Sequence, residues 1–164
     1  MENSSASSPL KPLRIRSFSA RDFPVLLDLD QRCFEPAIAY DAEEMAWYLS
    51  DPDSLTLIAE CGDRISGFLV ASVNKKRATL ITLDVDSSQR RRGVGSALIR
   101  TSEPELRRRG ALVYELQVDV ANTSAIAFYE HHCFRRRRRL PDYYPTGASA
   151  YLMERRLTGL PNGT

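Results

Sequence analysis

TLITLDVDSSQRRRGVGSALIRTSEPELRRR, the segment Thr79–Arg109, divides into a strand, a turn and a helix. Its first seven residues, 79–85, are mostly apolar and β-branched, which is typical of a buried strand. The next three, Asp-Ser-Ser, are turn formers. Ala97, Leu98 and Ile99 then begin the apolar face of a helix. The segment therefore predicts a strand–turn–helix unit.

The turn of this unit has the composition of an anion-binding loop. Glycines leave room for backbone N–H groups to converge on a ligand, and a helix N-terminus adds unpaired N–H groups and the positive end of its dipole. Preceding arginines add full charge. The spacing predicts a site sized for a phosphate or pyrophosphate. Its residues are Arg90, Arg91, Arg92, Gly93, Val94, Gly95 and Ser96.

Three phosphate-binding patterns were compared with this turn. A P-loop needs Lys-Ser/Thr after its second glycine, and neither glycine is followed by that pair. A dinucleotide fingerprint needs a third glycine where Leu98 stands. The remaining pattern, Arg/Gln-x-x-Gly-x-Gly/Ala, is met by Arg90, Gly93 and Gly95. The alternative is an ordinary helix N-terminus with solvated arginines.

Length and composition predict one globular domain. The chain has 164 residues, of which 43% are hydrophobic and 27% charged. No apolar run is long enough to span a bilayer. The Ser-rich residues 1–12 are expected to form a disordered tail, residues 13–157 the domain, and residues 158–164 a short C-terminal tail.

Cysteine and histidine usage argues against a metal site. Cys33, Cys61 and Cys133 are odd in number and lack metal-ligand spacing, so reduced thiols in a cytoplasm are expected. His131 and His132 are adjacent on an expected helix, and we interpret both as surface residues. No metal is predicted.

Strands and helices interleave along the chain without a strict β-α-β repeat, which favours a mixed α/β sheet. Pro104 lies inside the helix after the anion loop, so a kink or a frayed turn is expected near Thr101–Glu103. The expected strands are 13–18, 55–60, 65–73, 79–85, 111–119, 134–140 and 148–157, and the expected helices are 22–34, 42–49, 94–109 and 125–132.

A second motif makes the resemblance to a known family specific. Residues 122–130 read Asn-Thr-Ser-Ala-Ile-Ala-Phe-Tyr-Glu, and Cys133-Phe134 follows. Together with the glycine turn, this resembles the signature of the GNAT N-acetyltransferase superfamily, and of its Rim-type ribosomal-protein alanine and related Nα-acetyltransferases most of all. The likeness implies a single-domain α/β fold. Its sheet would be mixed, mostly antiparallel and seven-stranded, with about four flanking helices and splayed central strands.

The resemblance also implies roles for individual residues. Acetyl-CoA would be the cosubstrate, with its pyrophosphate on the glycine turn. Backbone N–H groups at Leu83 and Val85 would bind the pantetheine arm and polarise the thioester carbonyl. The Asn122 side chain would hold the arm, and Tyr129 would give its phenolic proton to the leaving thiolate. The alternative for Tyr129 is a core aromatic residue.

The general base is the point at which the chain departs from the family pattern. Gln117 stands where these enzymes commonly carry Glu or His, and Thr79 occupies another family base position; neither residue takes up a proton. Glu115, Asp84 or a chain of water molecules are the alternatives. A terminal α-amine, with a pKa of about 7.7–8.0, loses its proton more easily than lysine at about 10.4. The missing base therefore favours protein N-termini as acceptors.

Aromatic residues are expected to bind the acceptor. The resemblance implies this role for Tyr143 and Tyr144, before the last strand, and we assign Phe34 to the same site. The alternative is aromatic packing at a strand turn. Residues 135–139 are five consecutive arginines, interpreted as a solvated edge strand in preference to a contact with ribosomal RNA.

The sequence therefore predicts a cytoplasmic N-acetyltransferase that acts on a primary amine, most simply a protein N-terminus. A ribosomal protein or the ribosome is a candidate partner, and the chain is expected to be a monomer or homodimer without membrane contact. A small-molecule or polyamine acetyltransferase is the alternative enzyme, with Asp41, Glu43 and Glu44 as its acidic pocket. A catalytically quiet acyl-CoA sensor is the alternative from another class.

Overall fold

The computed structural model describes residues 11–157, so the expected tails lie almost entirely outside the described residues. Its elements alternate as the sequence predicts. The strands are β1 (Leu13–Ser17), β2 (Ser54–Cys61), β3 (Arg64–Asn74), β4 (Arg77–Val85), β5 (Val113–Asp119), β6 (Arg135–Leu140) and β7 (Ala150–Arg156). The α-helices are α1 (Phe23–Cys33), α2 (Ala42–Ser50), α3 (Val94–Arg108) and α4 (Thr123–His131).

The seven strands form one sheet in the order β1-β2-β3-β4-β5-β7-β6. All neighbouring pairs are antiparallel except β4 and β5, which are parallel. That parallel pairing covers only Arg77–Thr79 of β4, against Val113–Glu115 of β5. Beyond these residues the two strands separate, which confirms the predicted mixed sheet with splayed central strands.

Helices cover both faces of the sheet and create two apolar cores. On one face α3 packs Leu98, Ile99 and Leu106 against the sheet. On the other face α1 and α2 pack Leu26 and Met45 against β2 and β3. The splayed end of the sheet lies between these layers.

A bulge in β4 decides which side chains face which layer. Leu80 pairs with Ala71 and Thr82 with Val70, so Ile81 is the extra residue of β4. After the bulge, Leu83 packs with the α3 core. Because side chains alternate along a strand, Thr82 and its i+2 neighbour face the α1 layer instead.

Helix α3 corrects one prediction. It runs without interruption to Arg108, so the fraying expected at Thr101–Glu103 is wrong. Pro104 lacks the N–H that would bond to the Arg100 carbonyl, and Arg100 is exposed, so water can replace that donor. Buried Leu98 and Leu106 anchor the helix on either side of the proline. Packing therefore overrides the local helix-breaking preference.

The arginine run forms the edge strand β6, whose five arginines are all exposed. Arg137 pairs with Glu154 at 2.9 Å, and Arg136 with Glu130 at the same distance. The predicted solvated edge strand is confirmed. Among residues 11–157, no helix combines the length and the apolar character that crossing a bilayer requires.

Candidate active site

A cavity of about 880 Å³ opens where β4 and β5 separate. The α1–α2 loop and α2 form one wall, and α4 with the β6–β7 loop forms the other. Six residues predicted to act in catalysis or ligand binding line it together with Leu83: Phe34, Gln117, Asn122, Tyr129, Tyr143 and Tyr144. The splay of the sheet thus brings the residues predicted for acetyl transfer and for acceptor binding into one space.

The anion loop follows β4 and leads into α3. Gly93 caps the helix with a left-handed φ of +78°, and Arg91 has a φ of +63°. The first bond of the helix runs from the Ala97 N–H to the Gly93 carbonyl at 2.9 Å. The N–H groups before Ala97 belong to the first turn, where no intrahelical partner exists. They are the donors for an anion.

The two positions of the loop are occupied by glycine for different structural reasons. A Cβ on Gly93 would meet no atom within 4 Å, so the space above it is open to a ligand. A Cβ on Gly95 would lie 3.1 Å from the Phe128 ring, so this glycine lets α3 approach α4 closely. Arg90 and Arg92 are exposed beside the loop.

His132 corrects a second prediction, because it is buried and not a surface residue. Its Nε2 lies 2.8 Å from the Ser96 hydroxyl at the start of α3. Burial and the neighbouring positive charges lower the pKa of its imidazole. The sequence showed only two adjacent histidines; that one of them turns under α3 depends on how the two helices pack.

Tyr129 is half-buried and lines the cavity from α4. Its ring packs edge-to-face against Phe128 and Phe134, with centroids 5.3 and 5.8 Å away. Burial is the largest cause that raises the pKa of its phenol. The phenol is therefore protonated at neutral pH, which is the state that a proton donor needs.

Asn122 both begins α4 and faces the cavity. Its Oδ1 accepts from the Ala125 N–H at 3.2 Å and from the Ser124 hydroxyl at 3.3 Å. The capping geometry uses the amide oxygen and leaves the Nδ2–H group as a donor for the cavity.

The two carboxylates predicted as bases lie in different surroundings, and neither is among the residues that line the cavity. The Glu115 carboxylate accepts from Arg77 at 2.8 Å and from the Thr79 hydroxyl at 3.5 Å. Asp84 is buried, but the neighbouring Thr82 lines the cavity and donates to the Asp84 Oδ1 at 2.5 Å. One hydroxyl group thus separates Asp84 from the cavity.

Asp84 faces a second buried carboxyl group, that of Asp30 on α1. The two carboxyl groups influence each other's pKa, and both residues are at most 1% exposed. Burial is the largest cause that raises the pKa of both carboxyls. The Asp30 Oδ2 also accepts from the Tyr40 N–H at 2.7 Å. The pair therefore joins β4 to the α1–α2 loop.

Aromatic side chains surround the part of the cavity where the sequence predicts acceptor binding. Tyr143 and Tyr144 pack edge-to-face with ring centroids 5.0 Å apart. Burial raises the pKa of Tyr144 to about 12. Tyr40 and Tyr48, which the sequence reasoning did not assign to the site, line the same space. Tyrosines thus approach the cavity from both walls.

Comparison with known proteins agrees with this architecture. Residues 23–133 match the profile of the family described as Acetyltransferase (GNAT) family. The chain belongs to this family. An alanine N-acetyltransferase of ribosomal protein bS18 from Salmonella typhimurium is 32% identical over 133 residues, which cover 80% of this chain and 87% of the relative.

Solved structures of other GNAT proteins superpose closely on this one. The ribosomal-protein-S18-alanine N-acetyltransferase from Escherichia coli has a TM-score of 0.82 at 26% identity, covering 93% of this chain and 99% of its own. Ard1 from Thermoplasma volcanium has a TM-score of 0.83 at 27% identity, covering 90% and 99%. Arabidopsis thaliana NAA60, solved with acetyl-CoA, shares the fold at 21% identity and a TM-score of 0.81, covering 90% and 100%.

The residues of this GNAT site that the sequence reasoning missed are Asp30, Tyr40, Tyr48, Thr82 and His132. A signal for Asp30 was present, because it follows Leu26 by four residues on the buried face of α1. An acidic residue on an apolar helical face needs a buried partner. The identity of that partner depends on the β4 bulge, which the local sequence of β4 does not predict.

Proposed function

We propose that this GNAT enzyme transfers the acetyl group of acetyl-CoA directly to the α-amine of a protein N-terminus. The observation that supports this most is the cavity itself. It opens at the splay of the sheet, holds Tyr129 and Asn122 on one side, and is lined by tyrosines where an acceptor would enter.

The residues of the anion loop fit the cosubstrate. The open space above Gly93 and the unpaired N–H groups of the first turn of α3 suit a pyrophosphate, and Arg90, Arg91 and Arg92 supply its countercharge. Backbone N–H groups at Leu83 and Val85 would bind the pantetheine arm beside the separated end of β5. The bound cosubstrate supplies an activated thioester carbon.

Tyr129 is the proposed acid. As the amine nitrogen bonds to the carbonyl carbon, the carbon–sulfur bond breaks and the sulfur becomes a thiolate. The phenol is protonated at neutral pH and lies in the cavity, so it can give its proton to that sulfur. The Asn122 amide donor helps to hold the pantetheine arm.

An N-terminal acceptor is favoured because Gln117 occupies the position in the cavity where a general base is expected. Gln117 lines it but takes up no proton, and Glu115 is held by Arg77. An acceptor with an already low pKa suits such a site, and a protein α-amine has one. The relatives from Salmonella typhimurium and Escherichia coli are named for action on a ribosomal-protein alanine. A ribosomal protein in the cytoplasm is accordingly the partner we propose.

A polyamine or another small amine remains a second candidate because acidic side chains reach the cavity. Glu35, Glu44 and Asp119 line it and would attract a cationic acceptor. Asp41 and Glu43, also predicted for an acidic pocket, are not among the lining residues. The Glu44 Oε2 also accepts from the Asp41 N–H at 3.1 Å, which closes the capping box of α2.

The test is release of free thiol from acetyl-CoA with a panel of peptides that begin with Ala, Ser or Met, beside free lysine and spermidine. We expect selective turnover of peptides, and mass spectrometry should place the acetyl group on the α-amine. Turnover of spermidine alone would replace the acceptor class and keep the acetyl transfer. CoA binding without turnover on any acceptor would contradict the enzyme and favour the acyl-CoA sensor.

A further inference from the structure

We propose that Asp30 and Asp84 act as a carboxyl pair that shares one proton, and that Thr82 links this pair to the cavity so that it receives the proton lost by the attacking amine. The inference rests on the proposed acetyl transfer and supplies the missing base. Asp30 and Asp84 act through Thr82 and are positioning residues for the proton, while Thr82 is the member that faces the cavity.

Asp30 and Asp84 form a fully buried carboxyl pair. Asp30 is 0% and Asp84 1% exposed, and each carboxyl acts on the pKa of the other across the contact between α1 and β4. Two neighbouring carboxyl groups buried in this way do not both ionise, because like charges repel and burial disfavours the charged form. The remaining oxygens, Asp30 Oδ1 and Asp84 Oδ2, are buried and have no other partner among the described residues. One shared proton satisfies both.

The outer oxygens of the pair are held in fixed directions. The Tyr40 N–H donates to Asp30 Oδ2 at 2.7 Å, and the Thr82 hydroxyl donates to Asp84 Oδ1 at 2.5 Å. The pair with one proton therefore carries a single negative charge, stabilised by these two donors. Its exit toward the cavity is the Thr82 hydroxyl, which both donates and accepts.

Charged and titratable groups on neighbouring elements influence the pKa of the two carboxyls. Glu44 from α2 repels further charge on Asp30, and Asp84 in turn acts on the Cys33 thiol of α1 and on the Tyr129 phenol of α4. Tyr40 adds its backbone donor. Burial and these acidic neighbours raise the pKa of both carboxyls, so the pair holds a proton more readily than an exposed carboxyl does.

In the proposed acetyl transfer, every bond that forms is matched by a bond that breaks. The amine nitrogen bonds to the thioester carbon and the carbon–sulfur bond breaks. A proton of the amine passes to the Thr82 oxygen while the Thr82 proton passes to Asp84, and the pair becomes neutral. Tyr129 gives its proton to the thiolate. After product release the pair returns one proton through solvent to Tyr129, so no additional reactant is consumed.

The test compares Thr82→Val with Thr82→Ser in the full-length protein, with an acetylated peptide N-terminus as the measured product. Valine has the shape of threonine without the hydroxyl, whereas serine keeps it. We expect kcat to fall by about 100-fold in Thr82→Val and to stay within about threefold in Thr82→Ser. The Kd for CoA, measured by calorimetry, should stay within about twofold in both variants.

Asp84→Asn and Asp30→Asn supply a pH readout that a structural role would not move. Each leaves a single carboxyl without a charged neighbour, so the acid limb of the kcat profile should move to lower pH by about one unit while the maximum falls. Equal kcat in Thr82→Val and Thr82→Ser, with an unshifted limb in both Asn variants, would overturn the relay. Absence of peptide turnover in the unmodified enzyme would instead contradict the proposed function.

Discussion

At the scale of single residues, the Tyr129 hydroxyl is the group whose loss should affect chemistry and not binding. Phenylalanine keeps the ring that packs against Phe128 and Phe134 and removes only the proton donor. We expect Tyr129→Phe to lower kcat by about 100-fold or more, because general acid catalysis typically contributes that much. Steady-state kinetics and CoA calorimetry check this, with Tyr151→Phe as the matched control, because Tyr151 is a half-buried tyrosine of β7 that is not among the residues lining the cavity. An unchanged kcat would remove Tyr129 as the acid.

The buried acid pair makes a separate prediction about stability. Asp84 has a raised pKa in the folded protein, so its favourable contribution is complete below the unfolded pKa of about 3.9 and is lost as pH rises toward the folded value. Asn removes the charge and keeps the shape. Asp84→Asn should therefore be more stable than the unmodified protein at pH 8, by about 1–3 kcal/mol.

Urea unfolding at pH 4.5 and pH 8 measures this difference. The stability advantage of Asp84→Asn should be larger at pH 8 than at pH 4.5. Asp86→Asn is the control, because the Ser88 and Arg32 hydrogen bonds lower the pKa of the Asp86 carboxyl. Loss of the Asp86 carboxylate should lower the free energy of unfolding at pH 8. An Asp84→Asn variant that is less stable at both pH values would show that burial of the Asp84 carboxyl does not lower the stability of the folded protein at pH 8.

At the scale of elements, the strand–turn–helix unit of β4 and α3 positions both halves of the site. Gly93 has a φ of +78°, and the space beside its Cα is open. Asp at this position would place a side chain and a negative charge where a pyrophosphate is expected. We expect Gly93→Asp to raise the Kd for CoA by at least about 100-fold, equivalent to 2.7 kcal/mol.

Gly93→Asn separates charge from bulk in this experiment. Asn adopts the left-handed conformation more readily than other residues and carries no charge, so it should weaken CoA binding less than Asp does. Calorimetry with CoA at two salt concentrations measures both variants. Retention of normal affinity by Gly93→Asp would contradict the assignment of this turn as the pyrophosphate site.

The elements also show where local sequence suffices and where it does not. Hydrophobic alternation, the Asp41 cap and the glycine turn are local signals, and they predicted every strand and helix of residues 11–157 to within a few positions. The uninterrupted course of α3 through Pro104 and the burial of His132 depend on packing between distant segments. So does the contact between Asp30 and Asp84, which a one-residue bulge in β4 allows.

At the scale of the whole molecule, the order of strands determines which positions line the cavity and which lie at an edge of the sheet. The pairing of β4 and β5 ends at Thr79 and Glu115, and the cavity begins there. The same order places the arginine strand β6 at an edge, far along the sheet from β1. The glycine turn and the Asn122–Glu130 motif indicated a GNAT fold. In that fold the central strands splay beside the glycine turn, so the resemblance predicted this topology.

The last prediction concerns the position of β6 at the edge of the sheet. An exposed edge strand can pair with another copy of the chain, and like charges on that edge prevent such pairing. Replacing Arg135 and Arg138 by Thr keeps β-propensity and removes two of the exposed charges. We expect the double variant to self-associate, seen as a rise in scattered mass by light scattering, and to do so more readily at high salt.

Turnover distinguishes this protective role from a substrate-binding one. Arg135 and Arg138 are not among the residues that line the cavity, so kcat/KM on a short peptide should stay within about twofold in the double variant. Arg64→Thr with Arg156→Thr, on exposed positions of the interior strands β3 and β7, is the matched control for charge lost away from a sheet edge. If the β6 variant stays monomeric but loses turnover on a peptide, the arginines bind the acceptor and do not merely guard the edge.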